Sequence, residues 1–214
     1  KHNRAHAQED VEVVTLPVSK HLQIELDNLS HDGRGVGRWQ GKTIFVAGGL
    51  KGELVKAEVL SDRKTHTEAR LLEVKQGSDQ RVEPFCPVYD TCGGCQLQHA
   101  AEPFVAQYKQ QIVKSALDAH GIETEFRPIV TSPVQSRRRA TLAVRRTKKG
   151  ALWGFHARGS DTVVAVPECQ LVVPELLGVN ALMDDLARIG GSRKGEMAVN
   201  VTLSEVGLDV FVTG

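Results

Sequence analysis

Between residues 19 and 77 apolar side chains recur at every second position in short runs. In "HLQIELDNL" the residues Leu22, Ile24 and Leu26 share one side, the period of a half-buried strand. Two brief apolar runs, "GVGRW" and "TIFVA", follow inside a stretch punctuated by Gly33, Gly35, Gly37, Gly41, Gly48, Gly49 and Gly52. "ELVKAEVLSD" and "HTEARLLEVKQ" complete a set of five strands. Five strands in so short a span, with no helical period, predict a small closed barrel, because closure removes the sheet edges. Residues 1–18 are polar and read as a flexible tail.

After residue 77 the period changes. Pro103 opens a helix whose stripe is Phe104, Tyr108 and Ile112 with Val105, Ala116 and Leu117, ending near Gly121. Strand patterns return at "RRRATLAVRRT", "ALWGFHA" and "DTVVAV". Pro174 is expected to open a second helix carrying Leu176, Val179, Met183 and Leu186, stopped at Gly190-Gly191. "MAVNVTLS" and "LDVFVTG" predict a closing hairpin. Residues 78–214 therefore read as an α+β domain. The last strand reaches residue 214 without a terminal signature, as expected of a chain cut before a further domain.

Composition adds that the chain is of the soluble globular kind, with 41% hydrophobic and 25% charged residues. No apolar run is long enough to span a membrane, and the first twenty residues lack the apolar core of a secretory signal. A cytoplasmic, monomeric protein is the expectation.

The net charge of +1 hides an asymmetry. Nine of the 27 basic residues and none of the 26 acidic ones lie between Arg127 and Arg158. Such a segment is the footprint of a surface facing a polyanion, most often nucleic acid. Strand alternation puts Arg137, Arg139 and Arg145 on one face and Arg138 and Arg146 on the other. Arg158, between Gly154 and Gly159, is a further candidate contact, and Arg34, Arg38 and Lys42 are the candidates on the barrel. The competing reading is a solvated face whose acidic partners come from elsewhere in the fold.

Three of the four cysteines, Cys86, Cys92 and Cys95, fall in "FCPVYDTCGGCQLQH", and Cys169 stands apart in "VPECQLVVP". In a reducing compartment thiols act as ligands or catalytic groups more often than as disulfides. Three thiols in a loop with a fourth supplied from a distance is one way to build a four-thiolate site, for an iron–sulfur cluster or for zinc. A redox or nucleophilic Cys92-Gly-Gly-Cys95 pair lacks the usual strand–helix–strand context and an identifiable Asp or Asn to orient His99. Buried free cysteines are the plain alternative.

The barrel pattern followed by "CPVYDTCGGCQLQH", "SRRRATLAV", "WGFHARGSDTVV" and "PECQLV" resembles the N-terminal half of the 23S ribosomal RNA uracil-5-methyltransferases, over about residues 19 to 214. That family is built from a five-stranded, OB-like TRAM barrel, a central domain with a 4Fe–4S cluster, and a C-terminal methyltransferase domain. The resemblance implies Cys86, Cys92, Cys95 and Cys169 as cluster ligands, large-subunit ribosomal RNA as partner, and S-adenosylmethionine as the methyl donor of the full enzyme. The related transfer-RNA enzymes typically lack barrel and cluster, so they are expected to fit less well. Methylthiotransferases share the barrel but use a Cys-x3-Cys-x2-Cys loop that is absent here.

In that family a thiolate adds to uracil C6, and the resulting C5 nucleophile takes the donor's methyl group. A carboxylate then removes the C5 proton and the thiolate leaves. The donor-binding glycine turn and the Asp-Pro-Pro-Arg-type stretch before the catalytic cysteine are not present in these residues. Taken alone, the chain is expected to recognise RNA and to be catalytically inactive. The alternative from another class is a stand-alone, zinc-stabilised RNA-binding module.

Overall fold

The computed structural model describes residues 20–192 and 194–214, so the expected tail lies outside the described residues. Two compact units meet between Asp79 and Gln80, within a few residues of the boundary expected from the change of period.

The first unit is the expected closed barrel. Its strands are β1 (His21–Leu29), β2 (Gly35–Trp39), β3 (Lys42–Ala47), β4 (Leu54–Asp62) and β5 (His66–Gln76), in the order β1-β2-β3-β5-β4. Every pairing is antiparallel except β3 with β5. The alternating positions supply the interior, where Ile24, Leu26, Ile44, Val46, Val55, Ala57 and Ala69 pack together. Glu53 is the buried acid at the barrel's end. Its carboxylate accepts the amide N–H groups of Leu50 at 2.8 Å and Ser78 at 3.3 Å, which offsets the cost of burying charge.

The second unit is α+β. The helix α1 (Glu102–Asp118) has Pro103 in its first turn, and its predicted stripe is half-buried except for the exposed Ala116, with Ala106 the buried residue. An antiparallel sheet follows, built from β6 (Arg139–Arg146), β7 (Ala151–His156), β8 (Val163–Ala165), β9 (Met197–Ser204) and β10 (Gly207–Thr213). The spatial order is β10-β9-β6-β7-β8. One face, carrying Leu142, Val144, Trp153, Val199 and Val201, packs on Leu176, Met183 and Ala187.

The second helix corrects the sequence reading. Pro174 opens only a 3-10 turn, Pro174–Leu176, closed by the Leu177 N–H on the Pro174 carbonyl at 2.9 Å. The helix α2 begins later, at Asn180–Ile189. Gly178 lies in the break, where its high conformational entropy disfavours continuous helix. The apolar stripe survives the break, since Leu176, Val179 and Met183 are all buried. No helix among the described residues is long and apolar enough to cross a membrane.

Candidate functional site: a thiol cavity and an arginine groove

The cysteine loop is tied to the sheet along its length. Its first turn closes with the Cys92 N–H on the Val88 carbonyl at 2.8 Å. The chain then runs antiparallel to the residues after β7, with Gly93 N–H on His156 O at 2.8 Å and Arg158 N–H on Thr91 O at 3.2 Å. A Cβ on Gly93 would stand 2.8 Å from that same His156 carbonyl, so a glycine is required by close approach.

Arg158 locks the loop from outside. Its guanidinium donates to the carbonyls of Tyr89 at 3.0 Å and Cys95 at 2.7 Å, and lies 4.6 Å from the centre of the Tyr89 ring. Tyr89 is buried, with its hydroxyl 2.6 Å from the Gln96 carbonyl and 2.5 Å from His99 Nδ1. Burial pushes the Tyr89 hydroxyl's pKa up, and the Arg158 charge opposes that only in part.

Cys169 arrives from a turn after β8, its N–H on Val166 O at 3.3 Å. All four thiols are free. They line one cavity of about 20 Å³, whose walls include Val88, Tyr89, Phe155 and Leu171. Cys92 and Cys169 are buried, and Cys86 and Cys95 are half-buried. Burial pushes the Cys95 thiol up, a bond from Gln98 works the other way, and the charges of Cys169, Cys92 and Cys86 add to the rise. The Gly94 N–H points at Cys92 Sγ from 3.4 Å. Among the described residues no three His, Cys, Asp or Glu side chains are drawn together as a ready site for a single metal ion.

The arginines separate into two groups. Arg137, Arg138 and Arg139 are exposed and line one open groove with Thr141, Asn200, Thr202 and Leu203. Arg138 lines the groove as well, and its carbonyl accepts the Leu203 N–H at 2.8 Å. Regular β6 begins only at Arg139, and the backbone at Arg137 is paired instead with residues 171–173. Among the described residues no acidic side chain lines the groove. A polar chain crosses its floor: Arg139 Nε donates to Thr202 Oγ1 at 3.2 Å, Thr202 to Asn200 Oδ1 at 3.2 Å, and Asn200 to Thr141 Oγ1 at 3.0 Å.

The other basic candidates have partners within the protein. Arg145 donates to Glu196 at 2.7 Å and to the Asp161 carbonyl at 2.8 Å, and Glu196 also meets His156 Nε2 at 2.8 Å. Burial would raise the Glu196 carboxyl, but its bonds to Arg145 and His156 and their charges outweigh that and hold it below the usual range. Arg146 reaches the Gly191 carbonyl at 3.4 Å. On the barrel, Arg34 pairs with Asp32 at 2.8 Å and Glu68 at 3.5 Å and lies over Phe45, while Lys42 pairs with Asp62. Arg38, bonded to Thr43 at 3.3 Å, has no acidic partner among the described residues.

Sequence reading missed Tyr89, Gln98, Asn200 and Thr202. Asn200 and Thr202 carry a usable signal, since they alternate with buried Val199 and Val201 and must face outward.

The TRAM domain family model matches residues 18–72, the barrel. Among curated proteins the chain is 35% identical, over 92% of its length, to an uncharacterized RNA methyltransferase of Brucella suis, covering 46% of that protein. It is 38% identical, over 80% of its length, to the 23S rRNA (uracil(1939)-C(5))-methyltransferase of Stenotrophomonas maltophilia, covering 41% of it. The chain thus spans less than half the length of these relatives. Among solved structures, the Pyrococcus abyssi tRNA (uracil-54, C5)-methyltransferase in complex with S-adenosyl-L-homocysteine matches with a TM-score of 0.60 at 22% identity. That match covers 89% of this chain and 44% of the other, more than either unit alone could supply. The match to this transfer-RNA enzyme shows a shared fold, at a lower identity than the 35–38% of the curated relatives. With a TRAM barrel at its start and 35–38% identity to these relatives over most of its length, the chain is a homologue of the bacterial RNA methyltransferases that include the 23S rRNA uracil-C5 enzymes.

Proposed function

We propose that these residues form the RNA-recognition portion of an S-adenosylmethionine-dependent ribosomal RNA uracil-C5 methyltransferase. The observation that carries this reading is the arginine groove, in a homologue of RNA methyltransferases. Arg137, Arg138 and Arg139 offer three guanidinium groups to phosphates with no acid among them. The hydroxyls and amide beside them suit the ribose 2′-hydroxyl and base edges of RNA. A uracil reached at C5 and C6 must leave its stack, so the enzyme needs such a platform to hold the flanking backbone. Donor binding and the nucleophile belong, on this reading, to residues beyond the 214, and the protein works as a cytoplasmic monomer.

Cys86, Cys92, Cys95 and Cys169 would hold a 4Fe–4S cluster. The donor set fits, because four thiols face one apolar cavity, as thiolate-ligated iron requires. Cys92 and Cys169 are buried in its wall, and the half-buried Cys86 and Cys95 are the more accessible pair. When bound, the cluster supplies a covalent tie between the loop and Cys169 and a centre able to exchange one electron. The zinc-stabilised stand-alone module is the weaker reading, since the relatives are named as methyltransferases.

The test is RNA binding by the 214-residue chain, followed by fluorescence anisotropy at several salt concentrations. Saturable, salt-sensitive binding is expected, and its absence overturns the reading. Calorimetric titration with S-adenosylmethionine should be flat, and saturable uptake would place the donor site within these residues. Anaerobic reconstitution should yield iron and labile sulfide with visible charge-transfer absorption, whereas zinc alone would favour the module.

A further inference from the structure

Phe211 is 64% exposed on β10, the edge strand of the second unit's sheet. Alternation sends Val210 towards the core and leaves Asp209, Phe211 and Thr213 on the opposite face, the one that bears Arg139 and Arg145 of β6. The register places Phe211 opposite Asn200, and Asn200 opposite Thr141. The neighbouring row is Asp209, Thr202 and Arg139. Residues directly opposite on adjacent strands share a face and touch. The exposed ring therefore stands about one strand spacing, ~5 Å, from Asn200 in the groove lining and about 10 Å from the β6 end of its row.

A single exposed phenylalanine is ordinary. One whose row runs through Asn200 and Thr141, both of which line the arginine groove, is a different object. The neighbouring row is polarised, because Asp209 beside the ring repels phosphate while Arg139 at its far end, in one groove with Arg137 and Arg138, attracts it. What suits the ring end is an uncharged, flat group. We propose that Phe211 is a stacking platform for one unpaired base of the RNA whose phosphates occupy the arginine groove, with Asn200 placed to hydrogen-bond that base's edge. Unpaired rather than duplex RNA is required, because only an unstacked base exposes its face to an aromatic side chain. The proposal rests on the RNA-binding reading and adds to it a base contact that carries no charge.

That difference in charge makes the two separable by experiment. The 214-residue chain is titrated with a short single-stranded RNA that carries 2-aminopurine at one position in turn. Phe211→Ala should weaken binding about tenfold or more without changing the slope of log affinity against log salt. Phe211→Trp should restore affinity, and quenching of the stacked 2-aminopurine should disappear only in the alanine variant. Unfolding curves should coincide for all three, since the ring is exposed. Affinity of Phe211→Ala within about twofold of the parent, with arginine variants still impaired, overturns the stacking site and leaves RNA binding intact. No RNA binding by the unaltered chain removes both.

Discussion

Arg158 and Glu196 carry charges that act within the protein. Arg158 satisfies two carbonyls of the cysteine loop and covers Tyr89, so Arg158→Ala should lower the second unit's stability by about 1.5–3 kcal/mol, the range for hydrogen bonds to charged groups. Thiol alkylation should quicken, while the salt slope of RNA binding stays level. A slope reduced by roughly 0.7 would instead make Arg158 a phosphate contact. Glu196 allows a pH prediction. Its folded-state pKa is depressed below 4.5, so its contribution to stability is present above that value and is lost as pH falls through the lower, folded one. Glu196→Gln should cost about 0.5–1 kcal/mol near neutrality, a modest figure because Arg145 is substantially exposed to solvent screening. The gap between variant and parent should narrow as the solution is acidified below 4.5, and a gap independent of pH would show that the ion pair contributes nothing.

At the scale of elements, β6 and β9 make the groove and β7 and β8 hold the cavity. Each arginine that touches phosphate of single-stranded RNA contributes about 0.7 to the salt slope. The triple variant Arg137, Arg138, Arg139→Ala should therefore flatten the slope by about two while leaving the unfolding midpoint nearly unchanged. Arg145→Ala should show the reverse pattern, a lower midpoint and an unchanged slope, because its guanidinium pairs with Glu196. On the cavity side, β8 is three residues long and depends on β7, where a Cβ at Gly154 would stand 1.9 Å from the Val164 carbonyl. Gly154→Ala should separate the two strands, cost about 3 kcal/mol as severe overpacking does, and expose Cys169 to alkylation. An alanine variant with parental thiol reactivity would mean that β8 does not position Cys169.

At the scale of the molecule, the two units have their own cores, and each should fold by itself. A fragment of residues 20–79 is expected to unfold cooperatively, and one of residues 80–214 to retain most of the RNA affinity. The barrel's Arg34 and Lys42 are already paired with acids, so its contribution should be the smaller one. Affinity that stays with the barrel fragment would transfer the interface to Arg38 and its surroundings. The net charge of +1 conceals the separation of charge, because the basic segment and the acidic remainder nearly cancel in that sum.

The barrel was legible in the sequence because its cause is local: period-two alternation fills the interior and glycines mark the corners. The α+β character of the second unit, the 3 + 1 cysteine pattern and the basic segment were legible for the same reason. Alternation says which positions share a face, yet it is silent on what covers that face. Only the tertiary structure brought Cys169 into the cavity of Cys86, Cys92 and Cys95, since that meeting depends on where β8 ends. Only it sorted the arginines, assigning Arg145 to Glu196 and Arg158 to loop carbonyls while leaving Arg137, Arg138 and Arg139 around one groove. A run of like charge in a sequence carries no record of the acids and carbonyls that distant strands will bring against it. Strand order and register decide that, and the same register set Phe211 in line with Asn200 and Thr141.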